Sequence, residues 1–175
     1  MNALIYIVET LLRLALFVTL LRLLMQWARA DFRNPLSQAV VRLTNPLVMP
    51  LRRVLPPVGK VDSASVVAVV IVALVEIAIV YAMREYELPT LLVWLRLAAL
   101  EIVSTVLWLY FYAILLYALL SLIAPDGYSP MQALLTSLCE PILRPIRRLI
   151  PSVGSLDLSP LWACIAIQAL LILLR

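Results

Sequence analysis

Four charged side chains lie inside long apolar stretches, and they are the residues whose types and positions could support chemistry: Glu9, Arg13, Glu76 and Glu101. An ionisable group in a membrane-spanning helix is costly and usually faces a bundle interior or a water-filled cavity. Glu9 and Arg13 are four positions apart, so they share a helix face and can form an ion pair. The four groups are therefore candidates for an ion or proton path, and a structural, self-neutralising pair is the alternative.

Glu76 has no basic residue four positions away on its own segment. A short connection joins this segment to the one that carries Glu101, so we expect both carboxylates on the same side of the membrane. There they can meet Arg13 or each other inside a helix bundle. Arg22 lies near the end of the first apolar stretch, and we expect its side chain to extend to the membrane interface.

A motif rich in proline, arginine, glycine and aspartate occurs twice, 95 residues apart. Eleven of 32 positions are identical between residues 31–62 and residues 126–157. Spaced prolines and a paired arginine do not recur by chance in an apolar chain, so the sequence contains an internal repeat. The motif residues are Pro46, Pro50, Arg52, Arg53, Pro56, Gly59 and Asp62 in the first copy and Pro141, Pro145, Arg147, Arg148, Pro151, Gly154 and Asp157 in the second.

The two arginine pairs of the motif, Arg52-Arg53 and Arg147-Arg148, are the basic groups best suited to recognition. Each basic residue close to an anionic membrane surface contributes about 1 kcal/mol to binding. The pairs are therefore candidates to bind anionic lipid headgroups or an acidic protein partner. The alternative is that they only set the orientation of the chain, because basic loop residues orient the spans of most membrane proteins.

Asp62 and Asp157 each precede an apolar run, and aspartate is a preferred residue at the N-cap of a helix. Ser159 and Pro160 continue the second copy, and proline suits the first turn of a helix. We therefore interpret both aspartates as helix caps rather than as catalytic acids.

The composition argues against most catalytic and cofactor sites. The chain has no histidine, three glycines, and two cysteines without CxxC spacing. Histidine-based catalysis, histidine ligation of haem or metal, a glycine-rich phosphate loop and a cysteine redox motif are therefore not expected. We expect no enzymatic activity, no cofactor, no metal, and two unpaired thiols at Cys139 and Cys164.

Apolar segments long enough to cross a membrane must position these residues. The chain is 65% hydrophobic and 14% charged, with a mean hydropathy of +1.06. A soluble domain has about half apolar and roughly a quarter charged residues, so the composition predicts an integral membrane protein. The predicted fold is all-α, with four transmembrane helices at residues 3–27, 63–83, 98–123 and 159–174.

Each copy of the motif joins two of these segments and predicts an amphipathic helical unit at the membrane interface, at residues 31–62 and 126–157. In the first copy, apolar residues recur at helical spacing after Pro35. Pro46 and Pro50 are expected to kink or restart the helix, and Gly59 permits a turn at positive φ.

The segments predict two parallel repeats, residues 1–83 and 98–175, with a short non-cytoplasmic connection at 84–97. Nine basic residues fall in the motif loops and three on the opposite side. An excess of basic loop residues marks the cytoplasmic side of a membrane protein. The motif loops are therefore expected in the cytoplasm, with both termini on the opposite side.

The pattern P-x3-P-x-R-R-x2-P-x2-G-x2-D, present twice between apolar segments, resembles the YggT family of small integral membrane proteins. The plant-chloroplast and cyanobacterial relatives of this family are called YlmG-type. The resemblance covers nearly the whole chain, and the second copy, which continues into Ser159 and Pro160, is the closer match. The first copy lacks this proline and has Asn45 where the second has Glu140, which leaves open whether the copies are functionally equal.

The resemblance implies a protein of the bacterial plasma (inner) membrane, with roles in membrane organisation, complex assembly or osmotic tolerance. In chloroplast relatives it implies help in maturing a cytochrome complex. One hypothesis is a non-catalytic scaffold or assembly factor whose basic motifs contact headgroups or a membrane-protein partner.

The other hypothesis is a subunit of an oligomeric channel or transporter for osmotic or ion homeostasis. It would be built from further copies of the chain and would use the intramembrane charges. The lipid bilayer is an expected partner in both cases, and a nucleic acid is not.

Overall fold

The computed structural model describes residues 3–56, 62–87, 89–123, 129–149 and 157–174, and within these ranges the chain is helical without any β-strand. Gly59, Pro151 and Gly154 of the repeated motif lie outside the described residues. The all-α prediction is confirmed for the described part. Its helices are α1 (Ala3–Trp27), α2 (Pro35–Val54), α3 (Ser63–Met83), α4 (Leu91–Ile123), α5 (Pro130–Leu149) and α6 (Ser159–Leu173).

Three of the described helices are long and apolar enough to cross a membrane. α1, α3 and α4 contain 25, 21 and 33 residues, and a span needs about 20 apolar residues. α1 and α3 have the bounds of the predicted spans at 3–27 and 63–83. α6 is similarly apolar and begins at Ser159 as predicted, but it contains 15 residues. Its passage through a membrane stays a prediction.

α4 begins earlier than the sequence indicates. The predicted span starts at residue 98, after a connection at 84–97, whereas the helix starts at Leu91. The breaker Pro89 precedes the helix, and the leucine-rich sequence after it favours helix formation. Arg96, predicted in the connection, is an exposed residue of α4. A single exposed arginine does not end a helix, because arginine is itself a good helix former.

The part of each motif that contains its two internal prolines lies in one continuous helix, so of the two predicted effects of these prolines, a kink or a restart, the restart is wrong. α2 includes Pro46 and Pro50, and α5 includes Pro141 and Pro145. All four prolines are exposed. Proline removes one backbone N–H donor, and a carbonyl left unpaired on the outward side can bond to water instead. The helix therefore tolerates these positions.

α1 and α3 end in the same backbone motif. Arg29 after α1 and Glu85 after α3 have positive φ values of 53° and 56°. The next N–H in each case donates back to the helix, to the carbonyl of Met25 at 2.9 Å and to that of Tyr81 at 3.1 Å. These bonds satisfy carbonyls that would otherwise be unpaired. Glycine is the usual residue at this position; neither helix has one there, so the end of the apolar run is the signal that predicts where each helix stops.

The chain divides into two compact units, and the divisions fall inside α1, α2 and α4. The first unit comprises Met1–Leu23 and Val40–Val106, and the second comprises Leu24–Ala39 and Leu107–Arg175. The predicted organisation into repeats 1–83 and 98–175 describes the sequence and stays a prediction for the structure.

In each unit an amphipathic helix packs its apolar face on the helix that follows it. In the first unit, Val48 of α2 forms a buried cluster with Ala64 and Ala68 of α3, and small residues let the two backbones approach closely. In the second unit, α5 packs against α6. α5 buries Leu134, Leu135, Leu138, Cys139 and Leu143, and α6 buries Ser159, Pro160, Ala163, Ile167 and Leu171.

Candidate functional site

The four charged residues predicted inside apolar segments come together in the first unit, on α1, α3 and α4. Arg13 is the centre of this cluster. Its Nη2 lies 2.9 Å from Oε1 of Glu9, one turn away on α1. Its Nε lies 3.5 Å from Oε1 of Glu76 and 3.9 Å from Oε1 of Glu101. One guanidinium group therefore contacts carboxylates from three helices.

Arg84 is a further member of this cluster that the sequence does not reveal. Its Nη2 donates to Oε2 of Glu9 at 2.7 Å. Arg84 directly follows α3, and 75 positions separate it from Glu9, so no local spacing signals the contact. Glu9 lies between two guanidinium groups, with one carboxylate oxygen facing each.

A cavity of about 170 Å³ opens beside these charges. Glu76 is only 3% exposed, and its Oε2 has no hydrogen-bond partner in the described part of the chain. The side chain of Arg13, by contrast, is 59% exposed. The cavity is lined by Glu9, Arg13, Glu76, Ile77, Val80, Tyr81, Leu97 and Glu101.

The charges of the cluster do not balance. With every group ionised, the carboxylates of Glu9, Glu76 and Glu101 face the guanidinium groups of Arg13 and Arg84, which leaves a formal charge of 3 − 2, one negative charge. Such a cluster can bind a proton or a small cation, and it can also join three helices. Among the described residues, no group of three or more Cys, Asp or Glu side chains is arranged to hold a metal ion.

The repeated motif contains an arginine–aspartate ion pair in both copies. In the first, Nη2 and Nε of Arg52 donate to Oδ2 of Asp62 at 2.6 and 3.1 Å. In the second, Nε of Arg147 donates to Oδ2 of Asp157 at 2.8 Å. The partners are ten positions apart in both copies. Each pair joins the end of an amphipathic helix to the start of the next apolar helix.

Asp62 occupies the N-cap position of α3, as predicted, but its carboxylate makes no capping hydrogen bond. It accepts hydrogen bonds from Arg52 and from the hydroxyl of Ser65, at 2.6 Å each. The capping interpretation is therefore wrong for this side chain, because a charged donor binds a carboxylate more strongly than a backbone amide does. In the second copy the N-cap residue of α6 is Leu158, so the prediction of Asp157 at that position is wrong by one residue. Oδ1 of Asp157 still accepts the N–H of Ser159, the first residue of α6, at 2.9 Å.

The two copies differ in what surrounds the ion pair. Arg147 also donates to Oε2 of Glu140 at 2.9 Å and to the hydroxyl of Tyr117 at 3.1 Å. In the first copy, Asn45 replaces Glu140, and its Oδ1 accepts a hydrogen bond from Arg22 at 3.0 Å. Arg22 and Tyr117 are 95 positions apart and so are equivalent in the repeat. The helix before the motif therefore contacts the motif helix through an arginine in one copy and a tyrosine in the other.

Arg22 is 3% exposed, so the prediction that its side chain extends to the interface is wrong. Its Nη1 donates to Oγ1 of Thr44 at 2.7 Å and to Oδ1 of Asn45 at 3.0 Å. Buried polar groups require hydrogen-bond partners, and these acceptors on α2 satisfy Nη1 of the guanidinium group.

The ion pairs lower the pKa values of their aspartates. Burial alone would raise the pKa of Asp62, but hydrogen bonds from Arg52 and Ser65 outweigh it and hold the pKa below its usual value of 3.8. Burial likewise acts to raise the pKa of Asp157, and the hydrogen bonds around it lower the pKa further than burial raises it. Both aspartates are therefore ionised at neutral pH.

The second arginine of each pair has a different environment from the first. Arg53 and Arg148 are exposed, and each precedes an exposed apolar residue, Val54 at 79% and Leu149 at 82% exposure. The first arginine of each pair is thus held in an ion pair, with side-chain exposures of 50% for Arg52 and 32% for Arg147, while the second faces outward. The sequence pattern gives no means of telling these two roles apart.

Both cysteines are free thiols, as expected. Cys139 is fully buried in α5, and burial raises the pKa of its thiol to about 12. The thiol is protonated at neutral pH, and a protonated, buried thiol is unreactive.

Comparison with protein families supports the repeat. The family model described as CCB3/YggT matches two segments of the chain, residues 1–83 and residues 97–175. These segments correspond to the two sequence repeats.

Bacterial relatives match over most of their length. An uncharacterised protein of Pseudomonas aeruginosa is 40% identical over 171 residues, which cover 95% of this chain and 85% of that protein. The uncharacterised protein YggT of Escherichia coli strain K12 is 39% identical over 161 residues, covering 92% and 83%. A protein of Haemophilus influenzae is 30% identical over 154 residues, covering 88% and 81%. No solved structure matches the chain significantly.

Replacing Asp62 with asparagine removes the charged partner of Arg52 and preserves the shape of the side chain. The expected loss in unfolding free energy is about 1–3 kcal/mol, because a charge-assisted hydrogen bond is lost and its partner remains. Unfolding of the full chain in lipid nanodiscs at pH 7, followed by tryptophan fluorescence, measures the change. Asp31→Asn, the same substitution at an exposed residue, is the control and should change the value by less than about 0.5 kcal/mol.

The lowered pKa of Asp62 gives this contribution a defined pH dependence. A carboxylate whose folded pKa is depressed stabilises the fold above its unfolded pKa and loses that effect as the pH falls through the folded pKa. The stability difference between wild type and Asp62→Asn should therefore shrink as the pH is lowered below 3.8. Equal stability of the two proteins at pH 7 would contradict a stabilising ion pair.

Proposed function

This chain belongs to the CCB3/YggT family, and we propose that it is a non-catalytic organiser of membrane complexes in the bacterial inner membrane. In this proposal α2 and α5 lie along the cytoplasmic surface, contact anionic lipid headgroups and help to assemble a membrane-protein partner. One observation carries the proposal. An outward-facing arginine beside an exposed apolar residue occurs at the same motif position in both copies.

The exposed face of each motif helix has the composition of an interfacial helix, in which apolar side chains enter the acyl boundary and basic groups stay at headgroup level. α2 exposes Arg42, Leu43, Pro46, Met49, Pro50, Arg53 and Val54. α5 exposes Pro141, Arg144, Pro145, Arg148 and Leu149. These positions recur at helical spacing, so each set forms one stripe.

The magnitude of the electrostatic term limits what the arginines can do. Arg53 and Arg148 together contribute about 2 kcal/mol to contact with an anionic surface, at about 1 kcal/mol for each residue. That is too little to anchor a protein, and the apolar helices already do so. The arginines are instead suited to selecting anionic lipids or an acidic surface next to the chain.

Four transmembrane helices in two parallel repeats complete the proposal. α6 has 15 residues, which at 1.5 Å per residue gives about 22 Å, less than the roughly 30 Å of a hydrocarbon core. A short span is accommodated by local thinning of the bilayer. The nine basic residues of the motif loops, against three in the segments predicted on the opposite side, support a cytoplasmic position for α2 and α5.

A role without catalysis agrees with the chemistry of the motif. Asp62 and Asp157, its acidic residues, are held ionised by arginines, and a general acid needs a pKa near the operating pH. The sequence has no histidine to act in their place. Organising membrane complexes, and thereby affecting osmotic tolerance, requires contacts with lipids and proteins but no catalytic group.

A second candidate function is a subunit of an oligomeric channel or transporter. It rests on the charged cavity of the first unit, where Glu76 and Glu101 meet between apolar helices. Intramembrane carboxylates commonly mark ion or proton pathways. The parallel order of the repeats makes this candidate second, because many secondary transporters are built from inverted repeats.

Reporter proteins fused to the C-terminus distinguish a topology with four transmembrane helices from one with three. If α6 crosses the membrane, alkaline phosphatase fused to the C-terminus is exported and active, and a fused green fluorescent protein is dark. A fluorescent fusion truncated after Pro56 should be bright and serves as the cytoplasmic control. The opposite pattern at the C-terminus would contradict the four-span arrangement.

Photo-crosslinking residues placed at Val54 and Leu149 test the organising role in cells. We expect anionic phospholipid and the same membrane protein to be captured at both positions. Reversing the charges with Arg53→Glu and Arg148→Glu should reduce both products several-fold, because like charges repel at the headgroup surface. Arg53→Lys with Arg148→Lys preserves the charge and should retain them. Capture of neutral lipid or of further copies of the chain alone would overturn the proposal.

Flux assays in proteoliposomes test the second candidate. If the cavity is part of a pathway, the reconstituted chain should carry ions or osmolytes, and Glu76→Gln should change the rate at least tenfold by removing an intramembrane charge. Glu87→Gln, the same substitution at an exposed residue, should leave the rate unchanged. The absence of flux for a broad panel of ions and osmolytes would exclude this function.

A further inference from the structure

The cavity of the first unit contains a carboxylate whose charge and hydrogen-bonding capacity are only partly satisfied. Glu76, in α3, is 3% exposed. Its Oε1 lies 3.5 Å from Nε of Arg13, while its Oε2 is buried and has no hydrogen-bond partner within the described ranges. Burying a charged group without full pairing is costly, so a donor that binds Oε2 stabilises the ionised form of Glu76.

The surrounding charges do not supply that donor. Glu9 takes the closest contacts of both arginines, 2.9 Å to Arg13 and 2.7 Å to Arg84. Glu76 and Glu101 make only the longer contacts with Arg13, at 3.5 and 3.9 Å from its Nε. The excess negative charge of the cluster is therefore located at Glu76 and Glu101, beside the unpartnered oxygen.

The carboxylates and the apolar side chains that line the cavity restrict the class of ligand that it can bind. No group of three acidic or thiol side chains in the described residues is arranged around a metal ion, whereas an N–H donor needs only one free oxygen at hydrogen-bond distance. Ile77, Val80 and Leu97 form an apolar part of the wall. The volume of about 170 Å³ exceeds the roughly 30 Å³ share of one water molecule several-fold.

We propose that this cavity binds a small protonated primary amine. The ammonium group donates to Oε2 of Glu76 and is shared electrostatically with Glu101, and a short alkyl chain contacts Ile77, Val80 and Leu97. The binding site lies on α1, α3 and α4 and uses none of the motif residues. Binding at this position does not require transport, and it is independent of the organising role proposed for α2 and α5.

Ethylammonium is the probe for this site. The full chain is reconstituted in nanodiscs of neutral phosphatidylcholine, so that the amine does not bind to anionic lipid, and binding is measured by isothermal titration calorimetry. Ethylammonium should bind saturably. Tetramethylammonium, which has the same charge and no N–H donor, and sodium, at equal ionic strength, should not. Saturable binding of either control ion with equal affinity would overturn the assignment of an amine.

Two matched variants locate the ligand. Glu76→Gln removes the charge and keeps the shape, and it should weaken ethylammonium binding at least tenfold. Glu87→Gln, at an exposed position outside the cavity, should bind as the wild type does. Unchanged affinity in Glu76→Gln would overturn the proposal, as would the absence of saturable binding to the wild type at millimolar concentrations.

Glu101→Gln keeps the proposal testable if Glu76→Gln does not fold. It removes half of the shared negative charge and should weaken binding several-fold. Unchanged affinity in this variant would contradict the shared site. The variant Arg53→Glu with Arg148→Glu should bind ethylammonium normally, so failure of the organising role and failure of the amine site give different results.

Discussion

Arg52 and Arg147 each reach across ten residues to the aspartate that precedes the next apolar helix. The contact ties the end of an amphipathic helix to the start of a membrane-length or near-membrane-length helix. Asp62 is buried, so removal of Arg52 leaves an uncompensated carboxylate out of water. Arg147 and Asp157 are 32% and 41% exposed, so their pair is partly hydrated. The aspartate and the arginine of each motif therefore depend on each other. In each copy this link lies beside a second contact between the same helices, the packing of α2 on α3 and of α5 on α6.

The same requirement to satisfy a guanidinium group explains how the two repeats diverge. Arg147 is also surrounded by Glu140 and Tyr117, so its charge is balanced by carboxylates. In the first copy, Arg22 takes the position equivalent to Tyr117 and finds neutral acceptors at Thr44 and Asn45. The exchange of Asn45 for Glu140 is thus accompanied by an exchange on the preceding helix. The two copies therefore share the arginine–aspartate ion pair. The additional charged residue near it is the positive Arg22 in the first copy and the negative Glu140 in the second.

These constraints divide the charges of the chain into an ion-paired set and an outward-facing set. One arginine of each motif pair is held by aspartate, which leaves Arg53 and Arg148 to face the surroundings beside exposed apolar residues. The cluster around Arg13 is paired in a different way, because three carboxylates compete for its charge. An outward basic stripe suits contact with a membrane surface, and an undersatisfied acidic cavity suits a small cation. The two proposals for this chain therefore concern two different sets of charged residues.

The sequence by itself determined the helical class, the bounds of α1 and α3, the start of α6 and the repeated motif, because hydrophobic runs and spaced prolines are local signals. It also placed Glu9 beside Arg13, four positions away on one helix. Only the tertiary structure decided the partners of Arg22, Arg52 and Arg84 and the continuity of α2 and α5 through their prolines. Those outcomes depend on the hydrogen-bond acceptors and the packing surfaces that neighbouring helices place nearby. The spacing of residues along the sequence does not encode these distances. The separate roles of the two arginines in each pair were decided in the same way, by the side of the helix on which an aspartate was within reach.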